Sequence, residues 1–370
     1  MIWLVGKDGM LGRELFQAFK SRNIEFIASG SKVDITKMAV LNKFLGNSAG
    51  TADYDGDRAM PGTADYDGDR AAPRDGDRAM PGTADYDGDR AMPNRSACAS
   101  GRGDTSGMRD RAAPRGDRAM PDGDRAAPKT LKWIINCAAY TDVERAEDEE
   151  ELCASINARG PLNLAVIAAC LGACLLHVST DYVFDGTSQS PYKEDSKTNP
   201  LNAYGRTKAK GEELVRSALT EHVILRTSRL YGQFGSNFVQ KMLELMKKQN
   251  KIEVVADQFG NPTRARDLAE AIIAIVCKDK PKYGTYHFAN SGASSWYEFA
   301  AEIQALAMEK KILPQKCELI KTSYKTYKSR ANRPAFSALS CKKIKEDYGL
   351  EIEPWKQALK KHIGHLEKLV

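Results

Sequence analysis

The feature that most limits how this chain can fold is a long segment without large aliphatic side chains. Between Gly46 and Thr130 there is no Leu, Ile, Val, Phe or Trp. Much of the segment is a twelve-residue repeat, GTADYDGDRAMP, which begins at Gly50, recurs twice in near-identical form and continues as shorter copies. Each unit has too little apolar surface to offset the chain entropy lost on folding. We therefore predict that residues 50–128 form a disordered low-complexity insert.

The insert also conceals the charge of the remaining chain. It contains twelve Arg and sixteen Asp but no Lys or Glu, a net charge of −4, whereas the whole chain carries +6. The other residues therefore carry +10, scattered without a Lys/Arg block. Such a charge attracts anionic metabolites but is not typical of a nucleic-acid-binding surface, so no nucleic-acid partner is predicted.

Several features predict a cytoplasmic protein. No apolar run approaches the roughly 20 residues that span a bilayer, so no membrane partner is expected. The start, MIWLVGKDGM, lacks a basic leader followed by a long apolar segment, which argues against a signal peptide. Eight cysteines occur without a C-x-x-C pair and mostly in apolar segments, as expected of buried thiols in a reducing compartment.

Outside the insert, the pattern is that of an α/β protein. VDITKMAVLNKFL predicts a strand end and a helix before the insert, and LKWIINCAAY predicts a buried strand after it. A helix and the next parallel strand normally need only a short connection, so the insert lengthens one loop. We predict a Rossmann-type doubly wound parallel sheet from residues 1–49 and 129–235. A smaller C-terminal α/β substrate-binding region, 236–370, would follow, with some chain exchange between the two halves.

The first residues have the pattern of a dinucleotide-binding turn. A short apolar strand ends at Gly6 and is followed by Gly9, Gly12 and an amphipathic helix. Gly6 permits the tight turn, Gly9 lets backbone N–H groups approach a pyrophosphate, and Gly12 lets the helix pack on the strand. The helix N-terminus, with Met10 and Leu11 in its first turn, then faces the anion.

The end of the second strand bears on the choice of dinucleotide. A site restricted to NAD usually has an acid there that holds the ribose 2′-hydroxyl, whereas this chain reads Ser-Gly-Ser-Lys from Ser29 to Lys32. Small hydroxyls and a lysine tolerate or attract a 2′-phosphate, so NADPH is favoured, with NADH as the alternative. Asp34 follows and is predicted to contact adenine together with Ile35. The competing interpretation is that Asp34 caps the next helix.

A reaction centre is predicted further along the chain. A buried strand ends in STDYVFDG, which contains Thr180, and a later helical segment opens with YGRTK. Tyr204 and Lys208 of that segment lie one helical turn apart on one face. A lysine cation there should lower the pKa of the phenol, so that Tyr204 exchanges a proton near neutral pH while Thr180 orients the same substrate oxygen. Lys208 can also hydrogen-bond a nicotinamide ribose. A Tyr and a Lys four residues apart are commonly a solvated helix face, but with the glycine turn they predict a catalytic triad of Thr180, Tyr204 and Lys208.

Together these motifs resemble the dTDP-4-dehydrorhamnose reductase family of extended short-chain dehydrogenases/reductases. The matching segments are VGKDGMLG, VDIT, NCAAYTDVERAE, STDYVFDG, PLNAYGRTK, LRTSRLYG, SNFV, DQFGNPT and SRANRPAFS. The resemblance implies NAD(P)H-dependent reduction of the 4-keto group of dTDP-4-dehydro-L-rhamnose, with the proton from Tyr204. It implies that Ala139, Tyr140 and Thr141 lie beside the nicotinamide. The residues that it implies for the nucleotide sugar are Val143, Thr180, Asp181, Arg229 and Asn237.

Two positions depart from the family pattern. Arg229 stands where the family often has a sugar-contacting Trp, which leaves the base and the sugar open, and Ser340 stands where an Asp is common. Arg229, Arg264 and Arg333 are the candidate cations for a diphosphate, although each alone is more often a surface or loop-capping residue.

Metal, assembly and alternative functions stay open. Some members of the family bind Mg²⁺ through glutamates at a dimer interface; those glutamates are not matched to residues here, so no metal ligand is predicted and a homodimer is only an expectation. One alternative is a non-catalytic NADP-binding regulatory subunit that resembles the methionine adenosyltransferase beta subunit, against which the complete triad argues. The other is a reductase or epimerase of a different nucleotide sugar.

Overall fold

The computed structural model describes residues 1–48, 130–326 and 329–366. The predicted insert, residues 50–128, lies outside the described residues. The helices are α1 (Met10–Ser21), α2 (Met38–Ser48), α3 (Glu150–Ala154), α4 (Gly160–Leu171), α5 (Ala203–Ala218), α6 (Phe238–Lys248), α7 (Ala265–Val276), α8 (Trp296–Glu309), α9 (Lys342–Tyr348) and α10 (Trp355–Leu366). The strands are β1 (Ile2–Val5), β2 (Phe26–Ser29), β3 (Trp133–Asn136), β4 (Cys174–Thr180), β5 (His222–Thr227), β6 (Leu230–Tyr231), β7 (Lys251–Val255), β8 (Phe259–Gly260), β9 (Thr263–Arg264), β10 (Gly284–His287), β11 (Ser294–Ser295) and β12 (Glu318–Thr322).

The main sheet has six parallel strands in the order β10-β5-β4-β3-β1-β2. The chain runs outward from β1 to β2 and then returns to build β3, β4 and β5 on the other side of β1. The order therefore reverses between β1 and β3, and in open α/β sheets ligands bind beyond the carboxyl ends of the strands at such a point. The predicted doubly wound Rossmann-type sheet is confirmed.

Both faces of the sheet are covered, which explains why its first strand is apolar throughout. Ile2 and Leu4 pack into the core that contains α1 and α7 residues. Trp3 and Val5 point the other way, into the core that contains α4 and α5 residues. β1 is thus buried on both sides and holds the following turn in a fixed place.

A further core forms after residue 230, mainly from α6, α8 and α10 with the strand pair β7–β12. The chain also returns to the main sheet: β10 pairs with β5, and α7 residues enter the same core as α1 residues. The predicted chain exchange between the two regions stays a prediction. The boundary near residue 235 stays a prediction.

Among the residues that the structure describes, one helical run satisfies the length and composition of a membrane span. A π-helical turn, Ser155–Arg159, joins α3 to α4 into a run from residue 150 to residue 171. Leu164, Ala165 and Ile167 of this run are buried in the core beside the sheet. The core of this fold therefore accounts for its apolar character.

The seven cysteines that the structure describes form no disulfide. Cys153 and Cys317 are buried, as expected. Cys170 and Cys277 are exposed, contrary to the expectation of burial, because they lie near the end of α4 and just after α7.

Candidate active site

The glycine turn lies between β1 and α1, where the strand order reverses. Gly6 has a φ of +81°, and a Cβ there would lie 2.7 Å from the backbone nitrogen of Ala138. A Cβ at Gly12 would lie 2.1 Å from the carbonyl oxygen of Gly6. The packing of the turn therefore requires both glycines.

Gly9 differs from its two neighbours in this motif. Its φ is −72°, and the nearest atom to a Cβ there would be the Gly6 oxygen at 3.6 Å. Within the described residues no contact requires a glycine at this position. Its missing side chain instead leaves space beside the first turn of α1, as a pyrophosphate would need, so the turn fits a dinucleotide.

The first turn of α1 offers backbone donors rather than side chains. It has no acidic residue and no side-chain cap, so its own side chains do not compensate the partial positive charge at the N-terminus of the helix. Leu11 is buried in the core, and the Met10 side chain lies 3.4 Å from where a Cβ on Gly232 would be. Met10 and Leu11 thus anchor the turn, and it is their N–H groups that could contact an anion.

The end of β2 differs from the prediction at one residue. Ser29 is only 2% exposed, and its hydroxyl accepts a hydrogen bond of 3.0 Å from the indole Nε1 of Trp3. It therefore faces the core and is not available to a 2′-phosphate. Ser31 and Lys32, which follow, are exposed.

Asp34 and Ile35 stabilise the segment before α2. Asp34 Oδ1 accepts hydrogen bonds from the backbone nitrogen and hydroxyl of Thr36, at 2.9 and 2.6 Å, and these hydrogen bonds lower the pKa of Asp34. The carboxylate thus caps a turn ahead of α2 rather than α2 itself. Ile35 is buried, and a Cβ on Gly160 would lie 2.6 Å from its Cδ1. Contacts of either residue with adenine stay predictions.

The start of α5 places Tyr204. The side-chain oxygen of Asn202 caps the helix by accepting a hydrogen bond of 2.8 Å from the nitrogen of Gly205. A Cβ on Gly205 would lie 2.2 Å from the carbonyl oxygen of Tyr182, so α5 sits tightly against the segment that follows β4. The Tyr204 ring meets the Tyr182 ring edge to face, with centroids 5.8 Å apart. Thr180, at the carboxyl end of β4, is the side chain whose hydrogen bonding counteracts the rise in the pKa of Tyr204.

A buried carboxylate orients Thr180. Asp181 is 2% exposed and accepts hydrogen bonds from the hydroxyls of Thr180 at 3.1 Å, Ser228 at 2.8 Å and Ser337 at 2.5 Å. Burial raises the pKa of Asp181. These contacts make Asp181 a positioning residue for Thr180, and its predicted place near the sugar stays a prediction. Ser228 and Ser337 were not predicted, because they are distant in sequence.

Lys208 is buried one turn beyond Tyr204. Its Nζ donates a hydrogen bond of 2.6 Å to the carbonyl oxygen of Val178 and lies 3.2 Å from Nε2 of His177. Burial lowers the pKa of Lys208 to about 8 and lowers that of His177 well below its ordinary value. Neither His177 nor its contact with Lys208 was predicted.

The pKa of Tyr204 corrects one expectation. The sequence predicted that Lys208 lowers it, but burial of the phenol raises the pKa, and the hydrogen bond with Thr180 offsets this only in part. Desolvation therefore outweighs any effect of the lysine, and the phenol holds its proton at neutral pH.

The loop after β3 contains the residues predicted to lie beside a nicotinamide. Asn157, in the π-helical turn, accepts a hydrogen bond of 2.9 Å from the Tyr140 nitrogen and donates one of 3.1 Å to its carbonyl oxygen. Ala139 and Val143 are half-buried, and Thr141 is exposed. The loop follows the carboxyl end of β3, next to the glycine turn. Asn157 was missed, since its role depends on a contact across 17 residues.

Arg229 is held by the protein. It has a φ of +44°, and its guanidinium donates to the carbonyl oxygens of Ser294 at 2.7 Å and Gln258 at 2.9 Å. The guanidinium also lies 4.1 Å from the centre of the Trp296 ring. Arg229 therefore connects the segments that contain Gln258 and Ser294. Its contact with a diphosphate stays a prediction.

The other predicted substrate residues separate into two places. Arg333 forms an ion pair of 2.6 Å with Glu144. Its positive charge also favours the ionised form of Tyr182, which lies beside the triad. Arg264 instead pairs with Asp267. The positive charge of Arg264 favours the ionised form of Glu14 on α1, so Arg264 lies away from Thr180 and its contacts.

Asn237 has a structural role. Its oxygen caps α6 by accepting a hydrogen bond of 3.3 Å from Gln240, and its nitrogen donates to the carbonyl oxygens of Gly232 and Gly235. The prediction of a sugar contact for Asn237 is not tested by these contacts.

Similarity to known proteins identifies the family to which this chain belongs. Residues 124–368 match the family model described as RmlD substrate binding domain. A dTDP-4-dehydrorhamnose reductase from Aggregatibacter actinomycetemcomitans is 42% identical over 231 residues, 61% of this chain and 79% of that protein. The spore coat polysaccharide biosynthesis protein SpsK of Bacillus subtilis is 39% identical over 230 residues, 62% of this chain and 78% of that protein.

Two solved structures extend the similarity to almost the whole chain. A dTDP-4-dehydrorhamnose reductase from Clostridium acetobutylicum has a TM-score of 0.72 at 29% identity and covers 99% of both chains. The enzyme of the same name from Bacillus anthracis, in complex with NADP, also has a TM-score of 0.72, at 26% identity over 98% of both chains. This chain is a member of the dTDP-4-dehydrorhamnose reductase family.

Proposed function

We propose that this protein reduces the 4-keto group of dTDP-4-dehydro-L-rhamnose to the hydroxyl of dTDP-L-rhamnose, using NAD(P)H. The observation that carries the proposal is that Thr180, at the carboxyl end of β4, lies beside Tyr204 at the start of α5, at the same edge of the parallel sheet as the turn at Gly9. A keto oxygen that meets both hydroxyls is oriented by one and protonated by the other. The relatives named for this reaction support the choice of substrate.

The protonation state of Tyr204 suits a reduction. Reduction of a ketone requires one hydride at carbon and one proton at oxygen. The bound nicotinamide would supply the hydride. The raised pKa of Tyr204 keeps the phenol protonated, so it can give its proton to the developing alkoxide. Without substrate the single hydroxyl hydrogen of Thr180 is donated to Asp181 at 3.1 Å, so binding of the keto sugar would exchange this hydrogen bond for one to the keto oxygen.

The dinucleotide would lie across the point where the strand order reverses. Its pyrophosphate would meet the N–H groups of Met10, Leu11 and Gly12, and its nicotinamide would lie near Ala139, Tyr140 and Thr141. A relative solved with NADP supports this class of cofactor. NADPH remains the expected donor from the Ser31–Lys32 loop, with NADH as the alternative.

The substrate would bind on the side of the triad formed by the chain after residue 235. The candidate contacts are the predicted substrate residues Val143, Thr180, Asp181, Arg229 and Asn237. Arg229 and Arg333 are the candidate cations for the diphosphate. We also expect a domain boundary near residue 235, a homodimer and a cytoplasmic location.

A substrate panel tests the proposal. NAD(P)H oxidation is followed with freshly generated dTDP-4-dehydro-L-rhamnose and with UDP- and GDP-linked 4-keto sugars. The dTDP sugar is expected to react fastest. Tyr204→Phe is expected to lose activity about a hundredfold or more while it still binds the dinucleotide. Turnover of only another sugar contradicts the substrate, and dinucleotide binding with no turnover of any sugar favours the regulatory-subunit alternative.

A further inference from the structure

We propose that Asp8, in the glycine turn, opposes the 2′-phosphate of NADPH and so reduces the preference for NADPH that the exposed Lys32 favours. The inference deepens the proposed function, because it assumes that a nicotinamide dinucleotide binds at this turn.

The carboxylate of Asp8 lies at the end of β2. Its Oδ2 accepts a hydrogen bond of 3.2 Å from the backbone nitrogen of Ser31. A Cβ on Gly30 would lie 1.9 Å from the same oxygen and 2.7 Å from the Asp8 Cγ. Gly30 therefore makes room for this carboxylate, and any other residue at position 30 would displace it.

The position matters because of what an acid does there in this fold. In Rossmann domains a carboxylate at the end of the second strand hydrogen-bonds the adenosine ribose 2′-hydroxyl of NAD. The second strand of this chain has no acid at its end, since it ends at Ser29 and is followed by Gly30. Asp8 brings a carboxylate to the same place from the glycine turn. A negative group so placed accepts a hydroxyl hydrogen bond but repels a phosphate.

The nearby cations do not bind this carboxylate in the contacts seen. The Lys7 ammonium lies 5.9 Å from the centre of the Phe16 ring, on α1. Lys32 is exposed on the loop beyond β2 and would attract the phosphate that Asp8 repels. The preference for one dinucleotide is then set by the attraction of Lys32 for the 2′-phosphate and its repulsion by Asp8. Removal of the Asp8 charge measures how much this repulsion contributes.

The test compares NADPH and NADH binding to the full chain by titration calorimetry, with no substrate present. Asp8→Asn keeps an oxygen that can accept the Ser31 hydrogen bond but removes the charge. We expect it to tighten NADPH binding about tenfold, the equivalent of about 1.4 kcal/mol, and to change NADH binding less than about threefold. Glu25→Gln removes the same charge at the amino end of β2, and its NADPH-to-NADH ratio should equal that of the unaltered chain.

The outcomes separate this inference from the proposed function. An unchanged ratio in Asp8→Asn, with both dinucleotides still bound and the melting temperature preserved, overturns the role of Asp8. Equal changes in Asp8→Asn and Glu25→Gln also overturn it, because they reveal a general charge effect. No binding of either dinucleotide to any variant contradicts the proposed function instead.

Discussion

Nε2 of His177 lies 3.2 Å from Nζ of Lys208. The hydrogen bonds on the other side of the imidazole ring determine which atom of this contact is the donor. Asn136 must direct its oxygen at the Ala138 N–H, which lies 3.0 Å away, so its amide nitrogen faces Nδ1 of His177 at 3.1 Å. Nδ1 then accepts, and we assign the ring proton to Nε2. That proton points at Lys208, which can accept it only as a neutral amine. The chain of contacts therefore disfavours the Lys208 cation.

The first prediction concerns stability at alkaline pH. The pKa of Lys208 in the folded chain, about 8, is below its ordinary value of 10.5. Between these values the unfolded chain binds more protons, so the free energy of unfolding should rise with pH. Lys208→Met should lack this contribution, whereas Lys210→Met, an exposed lysine of the same helix, should keep it. Urea titrations from pH 8 to 10.5 measure the difference. Parallel pH profiles for the two variants would refute the assignment.

The second prediction separates the roles of two glycines. Gly12→Ala places a methyl group 2.1 Å from the Gly6 oxygen and should lower the melting temperature. Gly9→Ala meets nothing closer than 3.6 Å and should melt like the unaltered chain while binding NAD(P)H at least tenfold more weakly. Thermal melts and dinucleotide titrations measure both. A Gly9→Ala variant with full affinity would show that the dinucleotide does not approach this residue.

The third prediction concerns the ion pair that fixes α5 to the sheet. Arg226 donates two hydrogen bonds to Glu212, at 2.9 and 2.7 Å, and both side chains are buried. Arg226→Met leaves a buried carboxylate without this partner and should cost about 3–5 kcal/mol of unfolding free energy. Arg216 contacts the same carboxylate at 3.2 Å but is 41% exposed, so Arg216→Met should cost less than about 1 kcal/mol. Similar losses in chemical denaturation would contradict the account.

The fourth prediction is that residues 50–128 are dispensable. They contain no Leu, Ile, Val, Phe or Trp, so their removal should sacrifice little buried apolar area. A linker of about five Gly and Ser residues is a usual length between a helix such as α2 and a strand such as β3. The shortened chain should keep its reductase rate and melt within about 5 °C of the full chain. A larger fall, or lost activity with the dinucleotide still bound, would mean that the segment supports the domain.

The glycine turn and the triad could be predicted because they are local patterns. Gly6, Gly9 and Gly12 follow an apolar strand, and Tyr204 and Lys208 are one helical turn apart. Ser29 could also have been placed correctly. It follows Ile27 by two residues, so it shares the face on which Ile27 packs with Trp3, and side chains alternate along a strand.

Other parts of the site depend on contacts that no local pattern reveals. Asn157 holds Tyr140 across 17 residues, His177 contacts Lys208 across 31, and Ser337 contacts Asp181 across 156. The pKa of Tyr204 was predicted in the wrong direction for a similar reason. Spacing places the lysine one turn away, but only the packed structure shows that the phenol is desolvated.

The most direct test follows the hydride itself. The enzyme is given dTDP-4-dehydro-L-rhamnose and a reduced nicotinamide dinucleotide with deuterium at both C4 positions, and the sugar product is analysed by mass spectrometry and NMR. We predict one deuterium in each product molecule, located at C4 of the sugar, and no product from Tyr204→Phe on the same time scale. Deuterium at another carbon, or product without deuterium, would contradict reduction of the 4-keto group at the Thr180–Tyr204 site.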